Sequence, residues 1–298
     1  MSRKLYVFNY NPTPPYMISR HFEQFTLPGE PSPTIYDYST RSIRRLIALG
    51  EGFVPVRVFF EGEPWNPRIS IEVYARGINI ARKAYDKILS MLRVDFNYNE
   101  FLEQLGSDEN IYNLALKYVG LRPSRSLSLY GALIDSVVKQ RISLKAALRI
   151  TSRFIHRYGL VEEVDGLEYY DYPKPSRLVE AGIDELRAIG LTRIKARALR
   201  EIALAEIEGR LPDTSRVLRD PLEALEELVE IPGIGRWTAE LALAMVSKDF
   251  KIGPAGDLAV RRGLSKIYKR ELSEREVRRI LRRHEEFMGL IMYLASLG

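Results

Sequence analysis

Ile231-Pro232-Gly233-Ile234-Gly235 and Asp257 are the residues whose types and spacing could do chemistry in this chain. Two glycines separated by one residue let a backbone turn sharply and approach a ligand with no Cβ in the way. Trp237, Leu241, Ala244 and Met245 then recur at helical spacing, so a helix starts just after the turn. Its first N–H groups lack partners within the helix and form the positive end of its dipole, which suits a phosphate. The plainer reading of Gly233 and Gly235 is an αα-turn that needs glycine for geometry alone. Asp257 follows in Gly253-Pro254-Ala255-Gly256, a small-residue approach where a backbone or a sugar could come close. A carboxylate there can stabilise a developing cation and orient a water. It can equally cap the helix that follows, and the two roles are compatible.

The elements that must position these residues are legible on both sides. Asp220-Pro221 is an N-cap followed by proline at the first helical position, and Leu222, Leu225, Leu228 and Val229 continue at helical spacing. The reading over residues 222–246 is therefore helix, five-residue hairpin, helix. Residues 78–92 and 98–105 are predicted helices, and 127–158 is a long helical segment with Leu129, Leu133, Ile134, Val137 and Val138 on its apolar side. Thr192 is the expected N-cap of a helix ended by Gly209, and Ser273 with Glu276 a capping box. The first third differs. Residues 4–10, 53–60 and 68–74 are β-prone, and Ile69, Ile71 and Val73 alternate with Ser70 and Glu72. Residues 16–25 suit a short helix, and 42–49 is ambiguous between helix and strand.

At 298 residues, 46% hydrophobic and 28% charged, the chain is long enough for two or three packed cores and is not disordered. A net charge of +6 and a pI near 9.3 favour an anionic partner. Arg122, Arg125, Lys139, Arg141, Lys145, Arg149, Arg153 and Arg157 form one basic cluster, and Arg193, Lys195, Arg197 and Arg200 another. Either could be a solvated helix face. With no cysteine, disulfides, thiolate zinc sites and iron–sulfur clusters are excluded. His21, His156 and His284 are scattered without ligand spacing. There is no signal-peptide pattern and no apolar run of transmembrane length, so a cytoplasmic protein without a membrane partner is expected.

The string from Leu228 to Val246, with Asp257 about two dozen residues after the hairpin, resembles the helix-hairpin-helix of DNA base-excision glycosylases. It is most similar to the 3-methyladenine DNA glycosylase II type, which excises alkylated bases. The resemblance implies a mostly α chain. A small N-terminal α+β antiparallel-sheet domain (1–92) precedes a two-lobed helical core (93–298), with one lobe at about 124–249 and the other at about 93–123 plus 250–298. On that fold, 42–49 is a strand. The resemblance also implies a monofunctional glycosylase that flips out a damaged, alkylated purine, uses no cofactor and leaves an abasic site. Its partner would be double-stranded DNA containing a damaged base, and the protein a nucleoid-associated prokaryotic monomer.

The implied roles follow residue by residue. Asp257 is the catalytic carboxylate. Gly233, Ile234, Gly235, Arg236 and Thr238 meet the DNA backbone, and Gln140-Arg141-Ile142-Ser143 matches a loop entering the minor groove, with Gln140, Arg141 and Ser143 as contacts. Relatives of this type usually carry an apolar wedge where Arg141 stands. Trp237 would face the base, with Tyr16, Phe22, Phe25 and Tyr293 as further walls. The C-terminal helix of the family often carries a tryptophan where this chain has Ser296 or a neighbour. Backbone carbonyls of Val229, Ile231 and Gly233 could hold a sodium or potassium ion. Lyase relatives place a Schiff-base lysine at the position of Trp237. The competing readings are a glycosylase/lyase for oxidised bases using another lysine, and a non-catalytic hairpin scaffold that binds DNA.

Overall fold

Three buried clusters organise the chain in the computed structural model, which describes residues 3–50, 52–106 and 108–298. The first forms under a five-stranded antiparallel sheet. Its elements are β1 (Lys4–Tyr10), α1 (Ser19–Phe25), β2 (Ile35–Asp37), β3 (Ser42–Leu49), β4 (Gly52–Glu61), β5 (Arg68–Ala75) and α2 (Ile78–Met91), with strand order β1-β5-β4-β3-β2. Ile71 pairs with Phe8 on one side and Val58 on the other, and the alternate residues Ile69, Ile71 and Val73 are buried. Residues 42–49 are a strand. Their apolar pattern looks irregular because Arg44 and Arg45 reach a second layer, with Arg44 Nε donating to the Glu168 carbonyl at 2.9 Å and Arg45 pairing with Asp171 at 3.5 Å.

The helical part begins with α3 (Tyr98–Gln104) and α4 (Glu109–Lys117), whose apolar faces belong to the second cluster. The third cluster is built from α5 (Leu129–Lys139), α6 (Leu144–Tyr158), β7 (Leu167–Asp171), α7 (Pro175–Glu180), α8 (Ile183–Ala188), α9 (Arg193–Ile207), α10 (Thr214–Arg219), α11 (Pro221–Val229) and α12 (Arg236–Val246), while β6 (Leu160–Val164) pairs with β7 and contributes no residue to it. The chain then returns to the second cluster with α13 (Leu258–Ile267), α14 (Glu274–Arg282) and α15 (Met288–Ser296). Gly263 of α13 packs on the Ala295 backbone of α15 so closely that any Cβ would collide. Among the described residues no helix is long and apolar enough to cross a membrane.

The β6–β7 hairpin goes unread in the sequence although it carries a signal. Val164-Asp165-Gly166-Leu167 places an Asp-Gly pair between two β-prone residues, and both turn residues have positive φ, 53° and 73°. The caps are as read: Asp220 accepts from Leu222 and Glu223, Thr192 from Lys195, and Ser273 with Glu276 closes both halves of its box.

Part of the first basic cluster faces inward. Arg122 is fully buried and donates to the carbonyls of Pro15, Phe96, Arg93 and Gly120, while its guanidinium lies 4.6 Å from the Tyr16 ring. Arg125 bonds Ser90. Lys195 of the second cluster is also buried, its Nζ donating to the Val138 carbonyl at 2.9 Å. These cations stitch segments together. A buried guanidinium satisfies many carbonyls at once, which composition alone cannot distinguish from a surface charge.

Candidate active site

The hairpin between α11 and α12 owes its shape to Gly233. Its φ of +89° favours glycine, and a Cβ there would stand 2.6 Å from the Ala198 Cβ on α9. Gly235 differs. It is the N-cap of α12 with φ −87°, and a Cβ would meet nothing within 4 Å. Gly233, Gly235 and Arg236 are exposed, whereas Ile231 and Ile234 anchor the turn in the core. The exposed N-terminus of α12 therefore presents backbone N–H groups to solvent.

Trp237, in the first turn of α12, is half-buried, and its Nε1 donates to Asp257 Oδ2 at 2.9 Å. Asp257 is the N-cap of α13, and its Oδ1 accepts from Ala259 at 2.7 Å and from Val260 at 3.4 Å. Three N–H donors thus converge on one partly accessible carboxylate, an arrangement complementary to its negative charge. The indole spends its only donor on the aspartate, so any ligand meets its π face.

The loop between α5 and α6 lies beside this pair. Gln140 Nε2 donates at 2.8 Å to the Oγ1 of Thr238, the residue after Trp237. Arg141 is exposed and held at φ +52°, a conformation rare outside glycine, and Ile142 beside it is also exposed. Ser143 caps α6 by accepting from Ala146.

The sequence model of the HhH-GPD superfamily of base excision DNA repair proteins matches residues 134–285, which span this loop, the hairpin and Asp257. The chain belongs to that superfamily. Among similar HhH-GPD relatives, DNA-3-methyladenine glycosylase 1 of Schizosaccharomyces pombe is 32% identical over 170 residues, 55% of this chain and 70% of that protein. DNA-3-methyladenine glycosylase 2 of Escherichia coli is 36% identical over 121 residues, 40% of this chain and 42% of that one. The 3-methyladenine DNA-glycosylase from Archaeoglobus fulgidus superposes with a TM-score of 0.84 at 28% identity, covering 97% of both chains.

The HhH-GPD core brings Asp257, Trp237, Thr238 and Gln140 into one connected set, but not every expected residue joins it. Thr238 is buried, and its hydroxyl accepts from Gln140 rather than facing outward; only its backbone remains in the helix's first turn. Gln140 likewise has its amide turned inward. Tyr16 is not a pocket wall. It is fully buried, its hydroxyl donates to the Leu92 carbonyl, and Arg122 covers its ring. Phe22 is 3% exposed and stacks on Phe60 under the sheet. Gly253 gives no approach to a sugar, because the Met292 side chain fills the space a Cβ would take.

Phe25 and Tyr293 remain partly accessible, their rings 6.0 Å apart, and His21 joins them. Its ring stacks on Phe25 at 4.8 Å, its Nδ1 bonds the Tyr293 hydroxyl at 3.0 Å, and its Nε2 bonds Ser124 Oγ at 3.0 Å. Burial, then the nearby cations Lys139 and Arg93, push its pKa down from 6.5 to about 3, so the imidazole is neutral. No ligand spacing marks His21 in the sequence; its aromatic neighbours Phe22 and Phe25 are the one available signal.

Among the described residues no group of three or more His, Asp or Glu is placed to hold a metal. The Ile231 carbonyl accepts from the Ile234 N–H at 3.0 Å, which leaves one lone pair for a monovalent ion together with the Val229 and Gly233 carbonyls. A cation there would add positive charge at the hairpin. A separate recess of about 340 Å³, lined by Arg157, Tyr158, Arg177, Glu180, Ala181 and Glu185, lies at the C-terminal end of α6. The loop at 140–143 precedes the other end of that helix, roughly 22 Å away, so the recess is remote from Asp257.

Proposed function

We propose that the chain is a monofunctional DNA N-glycosylase that extrudes alkylated purines from duplex DNA and hydrolyses the N-glycosidic bond, leaving an abasic site. The observation that carries this reading is the Trp237–Asp257 hydrogen bond at the head of the hairpin helix. It sets a carboxylate and an aromatic face side by side and puts no amine between them. As the base departs, positive charge grows on the sugar, and the Asp257 carboxylate stabilises it and orients a water for attack. The indole face, with Phe25, His21 and Tyr293 as candidate further walls, offers electron-rich stacking to a cationic alkylated base. Arg141, exposed and projecting from a strained loop, fills the gap left in the stack. Gly233, Gly235 and the first turn of α12 take the phosphates. The names of the yeast, bacterial and archaeal relatives support alkylated purines as the substrate class. The protein acts as a monomer on nucleoid DNA in a prokaryotic cytoplasm.

The lysines support a hydrolytic step. Lys248 pairs with Asp95 at 3.7 Å beyond the far end of α12, and Lys266 Nζ bonds the Gly298 carbonyl. The test is to incubate duplexes carrying single 3-methyladenine, 7-methylguanine, hypoxanthine, ethenoadenine or 8-oxoguanine lesions and measure free base and strand breaks. Free base with an alkali-labile strand is expected. A borohydride-trapped protein–DNA adduct, or breaks without alkali at the rate of base release, would show a lyase instead.

A further inference from the structure

The exposed face of α14 carries arginines that the hairpin and the catalytic pair do not use. With Arg278 as zero, Arg282, Arg275 and Arg279 stand about 40°, 60° and 100° around the helix at 3.6 residues per turn. The buried residues Leu281, Val277 and Ile280 occupy the opposite side. Arg275, Arg279 and Arg282 are exposed, and none forms an ion pair or hydrogen bond from its side chain among the described residues. Arg216, Arg236, Arg270 and Arg278, by contrast, are each held by a glutamate.

The position of this stripe relates it to the site. Arg278 Nη2 and Glu274 Oε1 lie 3.6 and 3.3 Å from where a Cβ of Gly256 would stand, next to Asp257. The charges of Glu274 and Arg278 also reach Glu240, which pairs with Arg236 at 3.0 Å just after the hairpin. The base of the stripe therefore lies against the Asp257 turn.

We infer that α14 is a second phosphate-binding element, on which Arg275, Arg279 and Arg282 clamp the DNA backbone beyond the stretch held by the hairpin. Arg275 to Arg282 spans roughly 10 Å along the helix axis, the axial rise of about three phosphates on one strand. Three guanidiniums without partners, in one sector of a helix that lies against the Asp257 turn, match a polyanion in charge and spacing. The inference rests on the glycosylase reading, because it extends that reading's DNA interface.

The test is the salt dependence of binding to a lesion-analogue duplex for wild type and for the Arg275→Ala/Arg279→Ala/Arg282→Ala variant. The variant should bind several-fold more weakly at moderate salt, with the slope of log K against log salt reduced by about two to three. Single-turnover base release at saturating protein should stay within about twofold. Shortening the duplex on one side only should abolish the difference between the two proteins. The single variants Arg275→Gln, Arg279→Gln and Arg282→Gln, each expected to lower the slope by about one, serve if the triple variant melts earlier. Unchanged affinity and slope, with wild type binding DNA normally, would overturn the α14 clamp alone. Wild-type protein that neither binds duplex nor releases base would overturn the glycosylase reading and the clamp with it.

Discussion

Trp237 Nε1 and Asp257 Oδ2 stand 2.9 Å apart across 20 residues of sequence, joining the first turn of one helix to the N-cap of another. The two residue types have separate roles in the proposed chemistry, yet the bond makes each the positioner of the other. Trp237→Phe keeps an aromatic face and removes the donor. A hydrogen bond to a charged group is worth about 1.5–3 kcal/mol, so kcat should fall about ten- to a hundredfold with KM little changed. Asp257→Asn should lower base release at least about a hundredfold while binding to an abasic-site analogue stays within a few fold. Single-turnover release measured beside binding checks both; near-wild-type release by Asp257→Asn would remove the carboxylate from the mechanism.

The two hairpin glycines should fail differently. Gly233→Ala places a Cβ against Ala198 and forces φ +89° on an alanine, so it should cost about 1–3 kcal/mol of folding stability. At Gly235→Val the added Cβ meets no protein atom within 4 Å, so Tm should fall less than for Gly233→Ala, by no more than the weaker N-cap costs, while affinity for duplexes of every sequence drops. Melting curves and binding isotherms on both variants separate the two. An unchanged Kd for Gly235→Val would contradict phosphate approach at that position.

Gln140 should act through Thr238 rather than by touching DNA. Gln140→Ala and Thr238→Val each break the 2.8 Å bond that holds the Arg141 loop against α12. Both should slow base release, and the double variant should be no worse than the worse single, as expected for partners in one interaction. Thr238→Ser, which keeps the hydroxyl, should restore the rate. Additive losses in the double variant would make the bond irrelevant to function.

His21 should leave a signature in stability against pH. Its pKa is about 3 in the folded chain and near 6.5 when unfolded, so between those values the unfolded chain binds a proton that the folded one refuses. Stability therefore falls as pH drops below about 6.5 and keeps falling toward about 3. His21→Asn should flatten that fall by up to one proton, read from urea midpoints between pH 7 and 4. The same slope in wild type and variant would show that His21 titrates normally.

Much of this protein is legible in its sequence because it is local. The Asp220, Thr192 and Ser273 caps, the alternation through β5 and the glycine turn at 231–235 each depend on neighbours within a few residues, so type and spacing suffice. Trp237 in place of lysine and Asp257 at the head of a helix are equally local facts, and the proposed chemistry rests on them. Tertiary structure decides which side chains share a space. Tyr16, Phe22, Phe25 and Tyr293 are alike as aromatic residues, but two are sealed under the sheet and two stay partly accessible beside His21. Arg122 and Lys195 look like surface charges in a basic run; burial and the carbonyls around them make them internal ties. The Gln140–Thr238 and Trp237–Asp257 bonds join residues 98 and 20 positions apart. Local periodicity specifies each helix's faces but not which faces meet, and that is settled only when the three cores pack together.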